Sequence, residues 1–276
     1  TFLLFISKEL EYMFKVALGL LLAVILAMFL LPLFYVVSPY QLDPSKILEA
    51  PSFQHLFGTD RLGRDMLARI LNGGQTSLII GFLAASISSI VGLFIGITAG
   101  YFKGNIDRTI TIMIDLFLTF PTFFLLLALV SYIQASSLIL IIVISITGWM
   151  GMSRLIRSES FAIGNKPYIK ILRLSKVSTF KIIFKYFAPI LAPIFLISFT
   201  FGVGGSILAE SGLSFLGLGI NAPEMSWGSL LSDGKAVIDI AWWVSFFPGL
   251  MIFLITFCLI QISDYLQSIA NSKEIN

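Results

Sequence analysis

One cysteine (Cys258) and one histidine (His55) are all that the 276 residues hold of two versatile site-building side chains. An intrachain disulfide, a zinc cluster and a Cys–His dyad are therefore excluded. Cys258 stands in an apolar run and reads as a small buried hydrophobe. His55 lies in a polar stretch and reads as a solvated side chain. Charge is scarce as well: 12% of residues are Asp, Glu, Lys or Arg, against about 25% in soluble domains. The net charge of +3 is too small to suggest a nucleic-acid partner. A phosphate-cradling loop is missing. The nearest string, Gly228 to Gly234-Lys235, has five residues between its glycines instead of four and continues with Ala236. HExxH and Gly-x-Ser-x-Gly are absent too. No catalytic and no metal site is expected, and ATP must be bound by another chain.

What the chain has in excess is apolar surface. With 57% hydrophobic residues and a mean hydropathy of +0.96, too few polar groups remain to cover a soluble body, so lipid is the expected environment. Nearly uncharged stretches at about 12–37, 76–101, 109–133, 137–152, 187–209 and 236–262 are long enough to cross a bilayer. They predict an all-α bundle of six spans, with segment 1–11 and tail 263–276 on one side. Val16 to Val37 is too long for a signal-peptide core, so none is expected. If that side is the cytoplasm, 13 of the 18 basic residues lie inside and only Lys46, Arg61, Arg64, Arg69 and Lys235 lie outside. The positive-inside rule prefers this orientation. Eight of the basic residues fall between Arg154 and Lys185, predicting a cytoplasmic amphipathic helical segment over 153–186.

Other features inside the spans have several readings. Gly92, Gly96 and Gly100 form a small-residue face suited to close helix packing. Pro121, Pro189, Pro193 and Pro248 can kink helices. Among the acids, Asp264 lies near a cytoplasmic end, and Glu210 and Asp239 near outer ends where water reaches. Asp115 sits one to two turns into the third span, with Arg154 or Arg108 as a plausible partner. An aspartyl protease would need a second deep acid, and none is seen. Trp227, Trp242 and Trp243 suit an interfacial belt. Ser86, Ser88, Ser89, Thr119, Ser145, Thr147, Ser198 and Thr200 could line a weakly polar path or bond between helices.

Specific strings then accumulate in order. Phe57-Gly58-Thr59-Asp60-Arg61-Leu62-Gly63-Arg64-Asp65 precedes the second span, and Thr119-Phe120-Pro121 follows Asp115. Trp149 precedes Arg154 and Arg157. Leu213 to Gly219 and Ser226-Trp227-Gly228 follow the fifth span. From about Pro51 onward the chain resembles the C-type permease subunit of the dipeptide/oligopeptide/nickel ABC importers.

The resemblance implies a type I importer bundle in the bacterial inner membrane. Its partners would be a second homologous permease, two ABC ATPase subunits carrying ATP and Mg, and an extracytoplasmic substrate-binding protein. Loops 41–74 and 211–235 would face the binding protein, with Asp60, Arg61, Arg64, Asp65, Gly217, Gly219 and Trp227. The family's coupling segment matches Tyr168, Lys170, Ile171, Leu172, Arg173, Leu174, Lys176 and Ser178, followed by Pro189. Here Lys170-Ile171-Leu172 replaces the family's Glu-Ala-Ala, Lys176 its usual Gly, and Ile112 an Arg often found in span three. Tyr168, Ile171, Leu172 and Leu174 give an apolar face for docking. Asp115, Pro121, Arg154, Arg157 and Pro189 are structural or gating candidates. The implied cargo is a di- or oligopeptide, with nickel or another chelate as the alternative.

Overall fold

A computed structural model describes residues 2–133 and 135–275, with side chains over 9–133 and 135–271. The Lys8 and Lys273 side chains lie outside the described residues. The described chain is helical: α1 (Phe2–Phe34), α2 (Met66–Phe102), α3 (Gly104–Leu118), α4 (Thr122–Val130), α5 (Ser137–Gly164), α6 (Pro167–Leu174), α7 (Thr179–Ile182), α8 (Ala188–Phe215), α9 (Trp227–Lys235) and α10 (Trp243–Ile275). Five helices are each long and apolar enough to cross a membrane, six if the bent pair α3–α4 counts as one span. Among the described residues the only β pairing is an isolated bridge between Thr59 and Asp65.

The helix ends have local causes. Asp65 accepts from the Ala68 N–H at 2.8 Å and starts α2 ten residues before the apolar run begins. Lys103 (φ 56°) and Gly104 (φ 59°) turn the chain into α3. Pro121 has no N–H to donate, and α3 and α4 meet there at 78°. The third expected span is thus sharply bent at Pro121. The turn at Ile183–Phe187 is a π-helix directly ahead of Pro189, where the missing proline N–H interrupts the regular ladder. The sixth span starts at Trp243 rather than near Ala236, because 236–241 is a set of turns closed by Val237, Ile240 and Ala241 N–H bonds. Apolar composition alone does not separate such turns from helix.

The bundle is built around α2. Along α2 and α5, a Cβ on Gly92, Gly96 or Gly100 would meet Met152, Ile156 or Ser160 at 2.5–2.8 Å. The two helices therefore run parallel and nearly touch. The contact is tightened by Ser153 donating to the Gly92 carbonyl at 3.1 Å and Ser88 to the Ser145 carbonyl at 3.2 Å. α8 lies antiparallel on α2, with Gly81 against Ile207 near one end and Tyr101 against Phe187 at the other. α10 packs beside α8, and α1 rests on α10 through Phe14 stacked on Tyr265 at 4.3 Å. Leu22, Leu26, Leu30 and Phe34 of α1 remain exposed, the surface expected of a helix facing lipid.

Candidate functional site

At the end of the bundle carrying residues 35–65 and α9, the charged string folds into a tight cap. The Asp60 carboxylate accepts from the Leu62 and Arg64 N–H groups (2.8 and 3.0 Å), from Arg64 Nε (2.7 Å), and from Arg69 Nη1. Arg69 also donates to Asp233 at 3.1 Å, which ties the loop to both α2 and α9. Asp60 and Arg69 are buried, so removing one leaves the other with a single, more exposed partner, Asp233 for Arg69 or Arg64 for Asp60, at a cost of up to about 3–5 kcal/mol. Asp65 uses its second oxygen to accept from Tyr35 Oη at 3.1 Å and His55 Nδ1 at 2.8 Å. Lys46 Nζ lies 3.2 Å from His55 Nε2. His55 is therefore a partnered side chain rather than a solvated one. Burial first, then the Asp65 charge, pushes the Tyr35 hydroxyl up to about 12.

Three expectations change at this end. Trp227 is fully buried and donates to the Ile70 carbonyl at 3.1 Å. Trp243 is also buried and donates to the Thr59 carbonyl at 3.1 Å. Both indoles therefore lie inside the fold and not on its surface; of the three tryptophans only Trp242 stays exposed. Glu210 is not near water either. It is fully buried, and its oxygens accept from Ser214 (2.7 Å), Ser77 (3.2 Å) and Ser211 (3.4 Å), joining α2 to α8. Asp239 and Asp264 are exposed. Gly217 takes φ +79° in the open, whereas a Cβ on Gly219 would collide with Ser214. Of the expected outward-facing set, Arg61 and Gly217 are exposed, Arg64 is partly so, and Asp60, Asp65, Gly219 and Trp227 are buried.

Midway along the bundle a cleft of about 340 Å³ opens between α2, α4, α5 and α8. Ser88, Ser89, Thr147 and Ser198 line it, as do Thr122 and Ser206. Ser145, by contrast, is spent on the Ile141 carbonyl at 2.6 Å. Ser86, Thr119 and Thr200 bond back to their own helices at 2.7–2.9 Å.

At the opposite, basic end, α3 and α5 are clamped by ion pairs. Arg154 meets Asp115 at 2.5 Å with both side chains more than half exposed, an arrangement worth about 0.2–1 kcal/mol. Arg157 engages both oxygens of the better covered Asp107, Nη2 at 2.8 Å. Asp107 carries no signal in the sequence, because only the rotation of α3 turns it toward α5.

α6 sits at this end as a short amphipathic helix. Ile169 is fully buried and Leu172 packs on the same cluster, whereas Ile171 (62%), Leu174 (83%), Phe180 (74%) and Phe184 (58%) point outward. Tyr168, Lys170, Lys176 and Ser178 are exposed. The outward face is thus Ile171 and Leu174 with the stacked pair Phe180–Phe184 (4.8 Å); Leu172 belongs to the core and not to the face. Arg173 donates to the Tyr101 carbonyl at 2.9 Å and lies over its ring at 4.1 Å. Lys176 adopts φ 54°, the left-handed conformation that a Gly takes without strain.

The described chain thus carries a cap on one end, a hydroxyl-lined cleft at mid-depth and a short apolar-faced helix on the basic end. Residues 92–272 match the family described as "binding-protein-dependent transport system inner membrane component". The chain belongs to that family. It is 36% identical over 244 residues to the oligopeptide transport system permease protein OppC of Mycobacterium tuberculosis, covering 88% of this chain and 84% of that protein. It is 34% identical over 241 residues to the dipeptide transport system permease protein DppC of Bacillus subtilis, covering 86% and 75%. Among solved structures, an inward-facing MetNI methionine ABC transporter chain superposes with a TM-score of 0.56 at 15% identity, covering 73% of this chain and 96% of that one. The fold is therefore that of a type I ABC importer permease. As a binding-protein-dependent permease the chain is a multi-pass component of the bacterial inner membrane and a transport subunit.

Proposed function

We propose that this permease forms one half of the path of a di- or oligopeptide importer. It pairs with a second homologous permease and docks two ATPase subunits, which hold ATP and Mg. Substrate arrives from a binding protein on the cap end, with both termini and the basic end in the cytoplasm. The peptide cargo rests on the names of the OppC and DppC relatives. The coupling role rests above all on one observation: α6 buries Ile169 while aiming Ile171 and Leu174 away from the bundle.

The geometry suggests how force would travel. A pull on α6 reaches α2 through the Arg173–Tyr101 contact and α8 through Tyr101 against Phe187 at 5.6 Å. α2 is 37 residues long, roughly 55 Å at 1.5 Å per residue. Its far end is bound to the cap by Asp60 and to α9 by Asp233. ATP-driven closure of the ATPases would then tilt α2, α5 and α8 together and open the cleft toward the cap. Docking of the loaded binding protein favours that state only by binding it more tightly than the resting one.

The test is reconstitution of the complex purified through this chain, with its binding protein, in proteoliposomes. ATP-dependent uptake of a tripeptide supports the reading. ATP-dependent uptake of a nickel chelate and not of peptides would overturn the cargo, and uptake by this chain alone would overturn the importer assembly.

A further inference from the structure

Hydroxyls inside the bundle differ in how they are satisfied: Ser77, Ser88 and Ser153 bond to a neighbouring helix, and Ser160 and Ser245 are buried without a partner away from the cleft. Ser145, Thr147, Thr200 and Thr256 donate to carbonyls of their own helices at 2.6–3.1 Å. Ser89, Thr122, Ser198 and Ser206 have no hydrogen-bond partner among the described residues. All four line the same 340 Å³ cleft, from three different helices. Ser89 and Ser206 keep only 4% and 7% of their surface, and both belong to the cleft lining. An unpaired hydroxyl in apolar surroundings is unfavourable. A cleft that gathers several therefore expects a polar occupant.

The rest of the lining narrows the occupant's chemistry. No Asp, Glu, Lys, Arg or His lines the cleft; its other walls include Leu126, Ile144, Met152, Leu155 and Phe201 with three glycines. Hydroxyls both donate and accept, which suits the N–H and C=O groups of an amide backbone. A wall without charge neither attracts nor repels a charged side chain at short range.

We infer that Ser89, Thr122, Ser198 and Ser206 form a charge-blind contact wall that hydrogen-bonds the backbone amides of a passing peptide, whatever its side chains. The inference rests on the peptide reading of the previous section and adds a site to it. A helix of the second permease filling the cleft is the competing occupant.

The experiment uses the complex with its binding protein in proteoliposomes, and three probes: Ala-Ala-Ala, Ala-Lys-Ala and Ala-Glu-Ala. The triple variant Ser89→Ala, Ser198→Ala, Ser206→Ala is expected to lower uptake of all three by the same factor, about tenfold for the lost hydrogen bonds. The ATPases and second permease should still co-purify. Ser198→Asp is expected to cut Ala-Glu-Ala uptake more than Ala-Lys-Ala uptake. Gly205 lines the cleft, and a Cβ added there would have nothing within 4 Å, so Gly205→Leu should block all three without disturbing the fold. Undiminished uptake in the triple variant overturns the wall, as does a loss confined to one peptide. Loss of the second permease from the purified triple variant overturns it too and assigns the hydroxyls to subunit packing. A wild-type complex that imports none of the three peptides overturns the peptide reading itself.

Discussion

The guanidinium of Arg173 lies 4.1 Å over the Tyr101 ring and donates to the Tyr101 carbonyl at 2.9 Å. The contact joins α6 to the C-terminal end of α2, the longest of the described helices. Arg173→Ala should leave the fold inserted, because Ile169 still anchors α6, but should uncouple its movement from α2. Peptide uptake per ATP hydrolysed is expected to fall several-fold. Arg173→Lys should restore it only in part, since an ammonium lacks the planar face and fork of a guanidinium. An unchanged ratio of uptake to hydrolysis in Arg173→Ala would contradict this link.

Asp60 neutralises Arg69 in a buried setting. Asp60→Ala should destabilise the protein by up to about 3–5 kcal/mol, seen as a large drop in thermal midpoint in detergent. The double variant Asp60→Asn, Arg69→Met, which removes both charges and keeps an acceptor for the Leu62 and Arg64 N–H groups, should recover a good part of that loss. Equal destabilisation in the single and double variants would argue against a charge-pairing role.

The α2–α5 contact is steric. Gly96→Val places a branched side chain where a Cβ alone would already be 2.8 Å from Ile156 Cβ and the Ser153 carbonyl oxygen. Two backbones cannot easily yield, so the variant should lose monodispersity on size-exclusion chromatography. Gly151→Ala, whose Cβ has nothing within 4 Å, should behave as wild type.

Tyr35 is held neutral, its hydroxyl pushed from 10 up to about 12 by burial and the nearby Asp65 carboxylate. The folded pKa lies above the unfolded one. The corresponding stability is therefore complete below about pH 10 and disappears as pH rises from 10 to 12. Tyr35→Phe should flatten the fall of thermal midpoint in that window and leave the slope at neutral pH unchanged. The same slope in both proteins within the alkaline window would contradict the assignment.

Much of the plan is legible in residues whose meaning is local. Pro121 bends the third expected span because a proline lacks an N–H wherever it sits, and the Gly92–Gly96–Gly100 spacing marks a close face whatever the partner. Lys176 stands where the resembled family has Gly, and its positive φ explains the family's preference. Asp115 can be matched to Arg154 because charges inside apolar spans need partners. What stays hidden depends on how separate helices are rotated against each other. Trp227 and Trp243 look like belt residues until α9 and the cap fold over them. Glu210 looks wet until three serines from two helices close around it. Leu172, expected on the apolar face, packs instead on the cluster that holds Ile169, a rotation that a short helix does not reveal. The free hydroxyls of the cleft differ from their back-bonded neighbours only in side-chain geometry.

In the proposed assembly α6 is the ATPase-docking element. Its most direct test is affinity purification of this chain from its native membrane in mild detergent, wild type beside Leu174→Asp, with mass spectrometry of what co-purifies. Leu174 is 83% exposed, so the substitution should not disturb the bundle. A second permease and P-loop ATPases are expected with the wild type, and the second permease without ATPases in the variant. ATPases retained at wild-type stoichiometry in Leu174→Asp would contradict that docking role.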